Sequence, residues 1–475
     1  MARGTQQQPA YEPVDASPVK SFFVSMLTRD IKLEEAILDL LDNCVDGILR
    51  SKKRRSAQKP YDGFCAGIKY DKDMFEISDN CGGIPWDLHD YAFRMGRSHD
   101  RPADPAGAVG VYGIGMKRAI FKMGEECLIS TQNDCHRYEV EITREWVRDE
   151  KNWQIPVRPA ARDMRHDGTT IVVGGLYPGI SARFSDDEKA FTSELEQMVA
   201  THYAFIIEKG FSVKINGRAV TPRPTRLIFT KKPAGKGAPV IRPFLFKATA
   251  NDVEVFLAVG FTRPIPSQDE VADDQREKRY SSIDAGWTVV CNDRAVLYCD
   301  RNELTGWGEA AVPRYHTQFI AISGIVEFRA DDASKLPTTT TKRGIDASSP
   351  LYLQVKNKMR EGMQVFIEYT NKWKGRAEEA KAHMRAGEPL SFAEIKAEAE
   401  RLPLRRTRRA VPQGEQYMPR LPLPKRLEPQ RRRISFTKEV ADVQCVAEYL
   451  FNDENADPCA VGEECFDRLL REARK

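Results

Sequence analysis

The sequence predicts an α+β protein of several domains: an N-terminal domain of alternating helices and strands, a second α+β domain and a helical C-terminal region. Three observations carry this expectation. The 475 residues suffice for about three domains. Helical and strand-like patterns alternate from about 21 to 221, then strand-like runs recur to about 346. From 350 the breakers thin out and apolar residues take a helical spacing. At 41% hydrophobic and 30% charged residues, the composition suits packed cores rather than disorder.

In chain order, residues 1–20 are polar, carry Pro9, Pro13 and Pro18, and read as an arm. Within 21–221, VKINGRAV at 213–220 predicts two strands around an Asn216-Gly217 turn. The second domain, 222–349, holds the strand-like runs 253–261, 286–292 and 319–328. A helical segment spans 350–400, with 350–384 read as one long helix. Residues 401–433 form a basic, proline-rich linker, expected to be extended and unpacked. Residues 434–475 form a small acidic tail, with helices expected at 436–451 and 462–473.

Several function classes are excluded or disfavoured. No run of about 18 apolar residues exists, so a membrane-spanning helix is not expected. The first residues lack the apolar core of a secretory signal, so a cytoplasmic location is expected. Ten cysteines lie scattered without a C-x-x-C pair, which fits reduced thiols rather than a zinc site or a disulfide scaffold. Seven histidines without metal-binding spacing make a histidine-rich metal centre an unsuitable reading.

The net charge of +4 conceals an asymmetry. Residues 401–433 hold eleven Lys/Arg against two Glu, and 434–475 hold five basic and ten acidic residues. The first 400 residues are therefore neutral. The basic strip suits contact with a phosphate backbone. A solvated hinge paired with the acidic tail would have the same composition.

The segment LEEAILDLLDNCVDGIL at 33–49 has helical spacing. At about 100° per residue, Ala36, Ile37, Leu40, Leu41, Cys44 and Ile48 share one face with Leu33. Asp39, Asn43 and Asp46 form a narrow stripe on the other side. A solvated face would give the same stripe. Two glycine clusters follow. Asp79-Asn80-Cys81-Gly82-Gly83-Ile84-Pro85 succeeds the strand-like FEIS and sets a carboxylate beside approachable backbone. Gly110-Val111-Tyr112-Gly113-Ile114-Gly115-Met116-Lys117 leads into a helix-like segment, an arrangement that favours phosphate. Neither is a P-loop or a dinucleotide fingerprint.

This order of motifs, completed by Gly168-Thr169-Thr170 before a strand, resembles the GHKL ATPase superfamily of DNA gyrase, MutL, histidine kinases, heat-shock chaperones and MORC proteins. It is most similar to the MORC-like branch. LDLLDNCVDG resembles that family's asparagine helix, FRMGRSHD at 93–100 its nucleotide lid, VYGIGMK its second glycine box, and residues 204–222 the strand that closes its ATPase domain. The resemblance implies a Bergerat-fold GHKL domain over 21–221 and a ribosomal-protein-like transducer over 222–349.

It also implies roles. Asn43 holds magnesium, Asp79 reads the adenine amino group, Thr169 assists through water, and Asp46 supports the base-side network. Gly83, Gly110, Gly113 and Gly115 let backbone approach adenine or phosphate. Ile84, Tyr112, Ile114 and Met116 sit in the same boxes, and Lys117 is a phosphate partner. Lys342, in LPTTTTKRGID at 336–346, resembles the transducer lysine that meets the γ-phosphate. Two departures stand out. Cys81 occupies a usual glycine position, where positive φ would be costly. Asp39 stands where the family usually has the glutamate general base, one methylene shorter.

The expectation is therefore a magnesium-dependent ATPase of slow turnover with ATP and Mg2+ as cofactors. It would act as an ATP-gated homodimeric clamp or switch, with duplex DNA as partner. The alternatives are a chaperone-like remodelling ATPase, whose tail docks a protein, and an ATP switch with little turnover. A histidine-kinase-like phosphotransferase is disfavoured because no phosphoacceptor helix or sensor precedes the ATPase motifs.

Overall fold

The computed structural model describes residues 19–51, 56, 58–96, 106–109, 113–134, 136–231, 239–267, 270–271, 284–339, 342, 344–385, 387–407, 412–424 and 434–474. The chain divides into two compact units, residues up to 423 and residues from 424 onward.

The first unit starts with α1 (Lys20–Arg29) and α2 (Leu33–Arg50). Glu34 and Glu35 lie in the first turn of α2 and Arg50 in its last, each complementing the helix dipole. The Glu35 side chain also accepts the Lys32 N–H at 3.1 Å, which satisfies one of the donors a helix start leaves unpaired. The apolar face expected from the spacing is fully buried, with Ala36, Ile37, Leu41 and Ile48 at 0% exposure.

That face packs in the core of an eight-stranded sheet. Its strands are β1 (Cys65–Tyr70), β2 (Phe75–Asp79), β3 (Gly124–Asn133), β4 (His136–Ile142), β5 (Val157–Pro159), β6 (Gly168–Leu176), β7 (Ser212–Ile215) and β8 (Arg218–Ala219). The spatial order is β5-β4-β3-β6-β2-β1-β7-β8, and of these pairings β1–β7 alone is parallel. The helices α3 (His89–Phe93), α4 (Gly115–Met123), α5 (Arg144–Arg148), α6 (Pro178–Ser185), α7 (Glu188–His202) and α8 (Ala204–Glu208) complete this layer. The hairpin expected at 213–220 forms, with Asn216 and Gly217 both at positive φ.

A second core follows in the same unit. Its seven-stranded sheet contains β10 (Phe244–Ala250), β11 (Val253–Phe261), β12 (Gly286–Cys291), β13 (Arg294–Asp300) and β14 (Ile322–Arg329). The long helix α9 (Pro350–Lys372) lies on this sheet. Gly362 permits the close packing, since a Cβ there would stand 2.4 Å from Val259 Cγ1. A small third cluster joins Ala204 and Phe205 to Leu245, Ile325 and Phe392. The two sheets are thus seamed together rather than strung on a linker.

Two expectations need correction. The single helix over 350–384 breaks at Gly375, which takes φ +78°, and α10 (Ala377–Met384) starts afresh. The strand β15 (Glu388–Leu390) then pairs with β9 (Leu227–Phe229), and α11 (Phe392–Ala399) follows. The strip expected to be unpacked over 401–433 contributes β16 (Arg405–Arg406) and β17 (Gly414–Tyr417), and β17 extends the second sheet beside β10. Composition suggested a linker because prolines and arginines dominate; the pairing partner lies about 170 residues away in sequence.

The second unit holds α12 (Val440–Phe451) and α13 (Pro458–Ala473), close to the expected tail helices. Asn452 ends α12 in the left-handed conformation, and Asp457 caps α13. Among the described residues no helix is long and apolar enough to cross a membrane.

Candidate functional site: a carboxylate helix beneath two sheets

Strand register builds the base of the site. Ser78 pairs with Thr170, and Thr131 pairs with Thr169, so Asp79, Thr169 and Thr131 form one row across β2, β6 and β3. Asp79 accepts the N–H of Cys81 at 2.7 Å and of Thr169 at 3.3 Å, and the Cys44 thiol of α2 at 3.4 Å. Burial pushes the Asp79 carboxyl up, and these donors partly offset it. The Thr169 and Thr131 hydroxyls lie 3.1 Å apart, and Thr131 accepts the Ile84 N–H at 2.8 Å.

The glycines here serve protein packing. A Cβ on Gly83 would sit 2.0 Å from the Gln132 carbonyl oxygen, and one on Gly168 2.0 Å from that of Asp79. Positive φ falls on Gly82 and Gly83, while Cys81 keeps an ordinary backbone and is buried. The cysteine departure therefore carries no conformational cost.

The two acids of the polar stripe on α2 are not solvated, and Asn43 is half-buried. Asp39 is 3% exposed and Asp46 5%. Asp39 pairs with Arg118 of α4, through Nε at 3.2 Å and through Nη2. Gly115 opens α4 against Asp39, where a Cβ would meet the Asp39 Cβ at 3.4 Å. Met116 is buried, and the Ile114 carbonyl accepts the Arg118 N–H at 2.9 Å. Asn43 lies between the two acids, and its Nδ2 is buried without a hydrogen-bond partner among the described residues. An orphaned buried amide suits a ligand or ion, because its terminal group turns either end toward a partner. The donor set therefore fits a hard cation shared with phosphate.

Other expected residues sit differently. Asp46 accepts the Val109 N–H at 2.7 Å and so holds Val109 against α2. Burial pushes the Asp46 carboxyl up, with Lys342 and Arg50 opposing. The Lys117 ammonium, expected on phosphate, donates to the carbonyls of Ala92, at 2.7 Å, and Gly113. Gly113 takes φ +68°. Gly110, Tyr112 and the lid residues 97–100 lie outside the described residues.

The second sheet reaches this helix through the β12–β13 turn, where Asn292 and Asp293 both take positive φ. Asn292 Nδ2 donates to the carbonyl of Ala108 at 3.2 Å. Asp293 accepts Lys209 at 2.6 Å and the Tyr61 hydroxyl at 3.0 Å. Arg294 Nε reaches Asp42 Oδ1 at 3.0 Å. Asp42 also accepts the Tyr203 hydroxyl, and its Oδ2 takes the Lys342 ammonium at 3.0 Å. Burial alone would raise the Asp42 carboxyl, but Lys342 and Arg294 outweigh it and hold it at about 2. Asp42, Arg118, Thr131, Tyr203 and Asn292–Arg294 escaped the sequence reading. Only the turn residues had a local signal, an Asn-Asp pair between two strand-like runs.

Residues 31–167 match the family described as histidine kinase-, DNA gyrase B-, and HSP90-like ATPase. A comparison with curated proteins finds no match.

Proposed function

From a GHKL-type ATPase domain at residues 31–167 as premise, we propose that the chain is a magnesium-dependent ATP switch of the MORC-like kind. It would hydrolyse ATP slowly and close as a homodimeric clamp, with duplex DNA as the clamped partner. The observation that carries this reading is the orphaned Asn43 amide between two buried acids, on the helix whose Cys44 thiol meets Asp79.

Each residue then has a task. Asp79, held by two backbone N–H groups, offers a fixed acceptor for an exocyclic amine such as that of adenine. Asn43 supplies an amide oxygen to the metal. Bound magnesium would offset phosphate charge and orient the γ-phosphate. Lys342 adds a point charge from the second domain. Asp39 is the acid nearest the role of general base.

A second reading, the switch with little turnover, is favoured by the Asp39–Arg118 pair. The guanidinium occupies the Asp39 Oδ2, so that oxygen is not open to an attacking water. Isothermal titration with Mg-ATP, alongside a single-turnover hydrolysis assay, tests both. Absence of ATP binding removes the whole proposal. Binding without phosphate release leaves the switch.

A further inference from the structure

We propose that Asp42 is the resting seat of Lys342, which gives the lysine up only when a γ-phosphate competes for it. The idea rests on the ATP-binding reading above and adds the off state that the reading lacks.

Asp42 is 1% exposed and carries two cations of unlike kind. Arg294 belongs to β13, is 1% exposed, and is fixed three ways. Its Nη1 donates to the Ala295 carbonyl at 2.7 Å, its Nε holds Asp42, and its guanidinium lies 4.5 Å from the Tyr203 ring centre. Lys342 arrives from a loop 300 residues away in sequence, on a flexible stem. Its backbone takes φ +56°, a left-handed conformation that side-chain-bearing residues rarely hold without surrounding support.

The asymmetry makes exchange feasible. A buried carboxylate that lost its only partner would be left as an uncompensated charge. Asp42 would not, because Arg294 and the Tyr203 hydroxyl stay. Lys342 can therefore leave without stranding an anion. Its destination lies on the same helix, since Asn43 is the residue after Asp42 and Asp46 stands one turn on. A terminal phosphate supplies the stronger anion, whereas ADP offers none at that position. The seat thus sets a threshold against spurious engagement of the second domain.

The test compares affinities of Mg-β,γ-imido-ATP and Mg-ADP, read by calorimetry, for wild type, Asp42→Asn, Lys342→Ala and the double variant. Asp42→Asn is expected to raise the preference for the ATP analogue over ADP by roughly tenfold. The same substitution on the Lys342→Ala background is expected to leave the preference unchanged. An unchanged or reduced preference in Asp42→Asn overturns the seat. A Lys342→Ala protein with wild-type preference overturns both the seat and the lysine's role, while leaving ATP binding intact. Should Asp42→Asn fail to fold, hydrogen exchange on wild type decides. Residues 344–346 should exchange differently with the ATP analogue than with ADP, and identical exchange overturns the seat.

Discussion

Arg118 closes on Asp39 from the first turn of α4, so the acid of one helix and the cation of the next form a buried pair. Both side chains are at most 9% exposed. Removing one member of such a pair leaves a buried charge, which costs about 3–5 kcal/mol. Arg118→Met should therefore lower stability by about that amount in urea unfolding. Asp39→Asn leaves the Arg118 guanidinium without its counter-charge and should lose stability as well, but it keeps the hydrogen-bonding shape, so the folded protein should bind Mg-ATP while phosphate release falls. Equal phosphate release by Asp39→Asn and wild type would exclude Asp39 as the base and redirect attention to Glu34 and Glu35.

Asn43 makes the opposite prediction. Its Nδ2 has no partner to lose among the described residues, so Asn43→Ala should alter stability by no more than about 0.5 kcal/mol. Magnesium-dependent ATP binding should disappear. A calorimetric titration on a variant with an unchanged melting curve separates the two effects, and retained Mg-ATP affinity would remove Asn43 from the site.

Gly83 and Gly217 both take positive φ, yet only Gly83 faces backbone within reach. Gly83→Ala should destabilise by more than about 2 kcal/mol, since the Gln132 carbonyl must move. Gly217→Ala meets nothing within 4 Å and should cost only about 1 kcal/mol, the conformational penalty of its turn. Similar losses for the two would contradict the close approach of β3 to the Asp79 loop.

Acid unfolding should report on Asp293. Burial would raise its carboxyl, but Lys209 and Arg329 outweigh this and hold it below the ordinary range. A lowered folded-state value means the stabilisation is fully present above the unfolded value, about 3.9, and is lost as pH falls through the folded value. Asp293→Asn should thus lower stability at about pH 6–7 and flatten the fall below about pH 4. A variant whose acid limb matches wild type would remove Asp293 as a contributor.

How much of this was legible depends on where each burial originates. The Asn216-Gly217 hairpin and the apolar face of α2 are local patterns, and both formed as read. Asp42 stood outside the predicted stripe, and nothing near it in sequence marks it. Its environment comes from Arg294, 252 residues on, and Lys342, 300 residues on. Lys117 was legible as a lysine after a glycine box, but one of its carbonyl partners, Ala92, comes from α3, 25 residues earlier. Likewise, β17 needs β10 to become a strand.

That last pairing sharpens the prediction for the basic strip. Arg405 and Arg406 lie exposed on β16, opposite Gln416 and Glu415 of β17, so they project from a fixed sheet edge. Arg408 and Arg409 lie outside the described residues. Arginines anchored this way suit a phosphate backbone without reading sequence. Replacing Arg405, Arg406, Arg408 and Arg409 with Gln should weaken duplex binding equally across unrelated sequences. The slope of log affinity against log salt should shrink by about 0.9 for each phosphate no longer neutralised. Nucleotide affinity should stay at the wild-type value, because none of the four lies among the residues assigned to ATP. Deleting 434–475, which carries ten acids against five basic residues, should tighten binding at low salt and do little at high salt. Anisotropy titrations at several salt concentrations read both variants. Duplex affinity unchanged by removal of the four arginines would leave the strip as an intramolecular edge and turn the search toward a protein client.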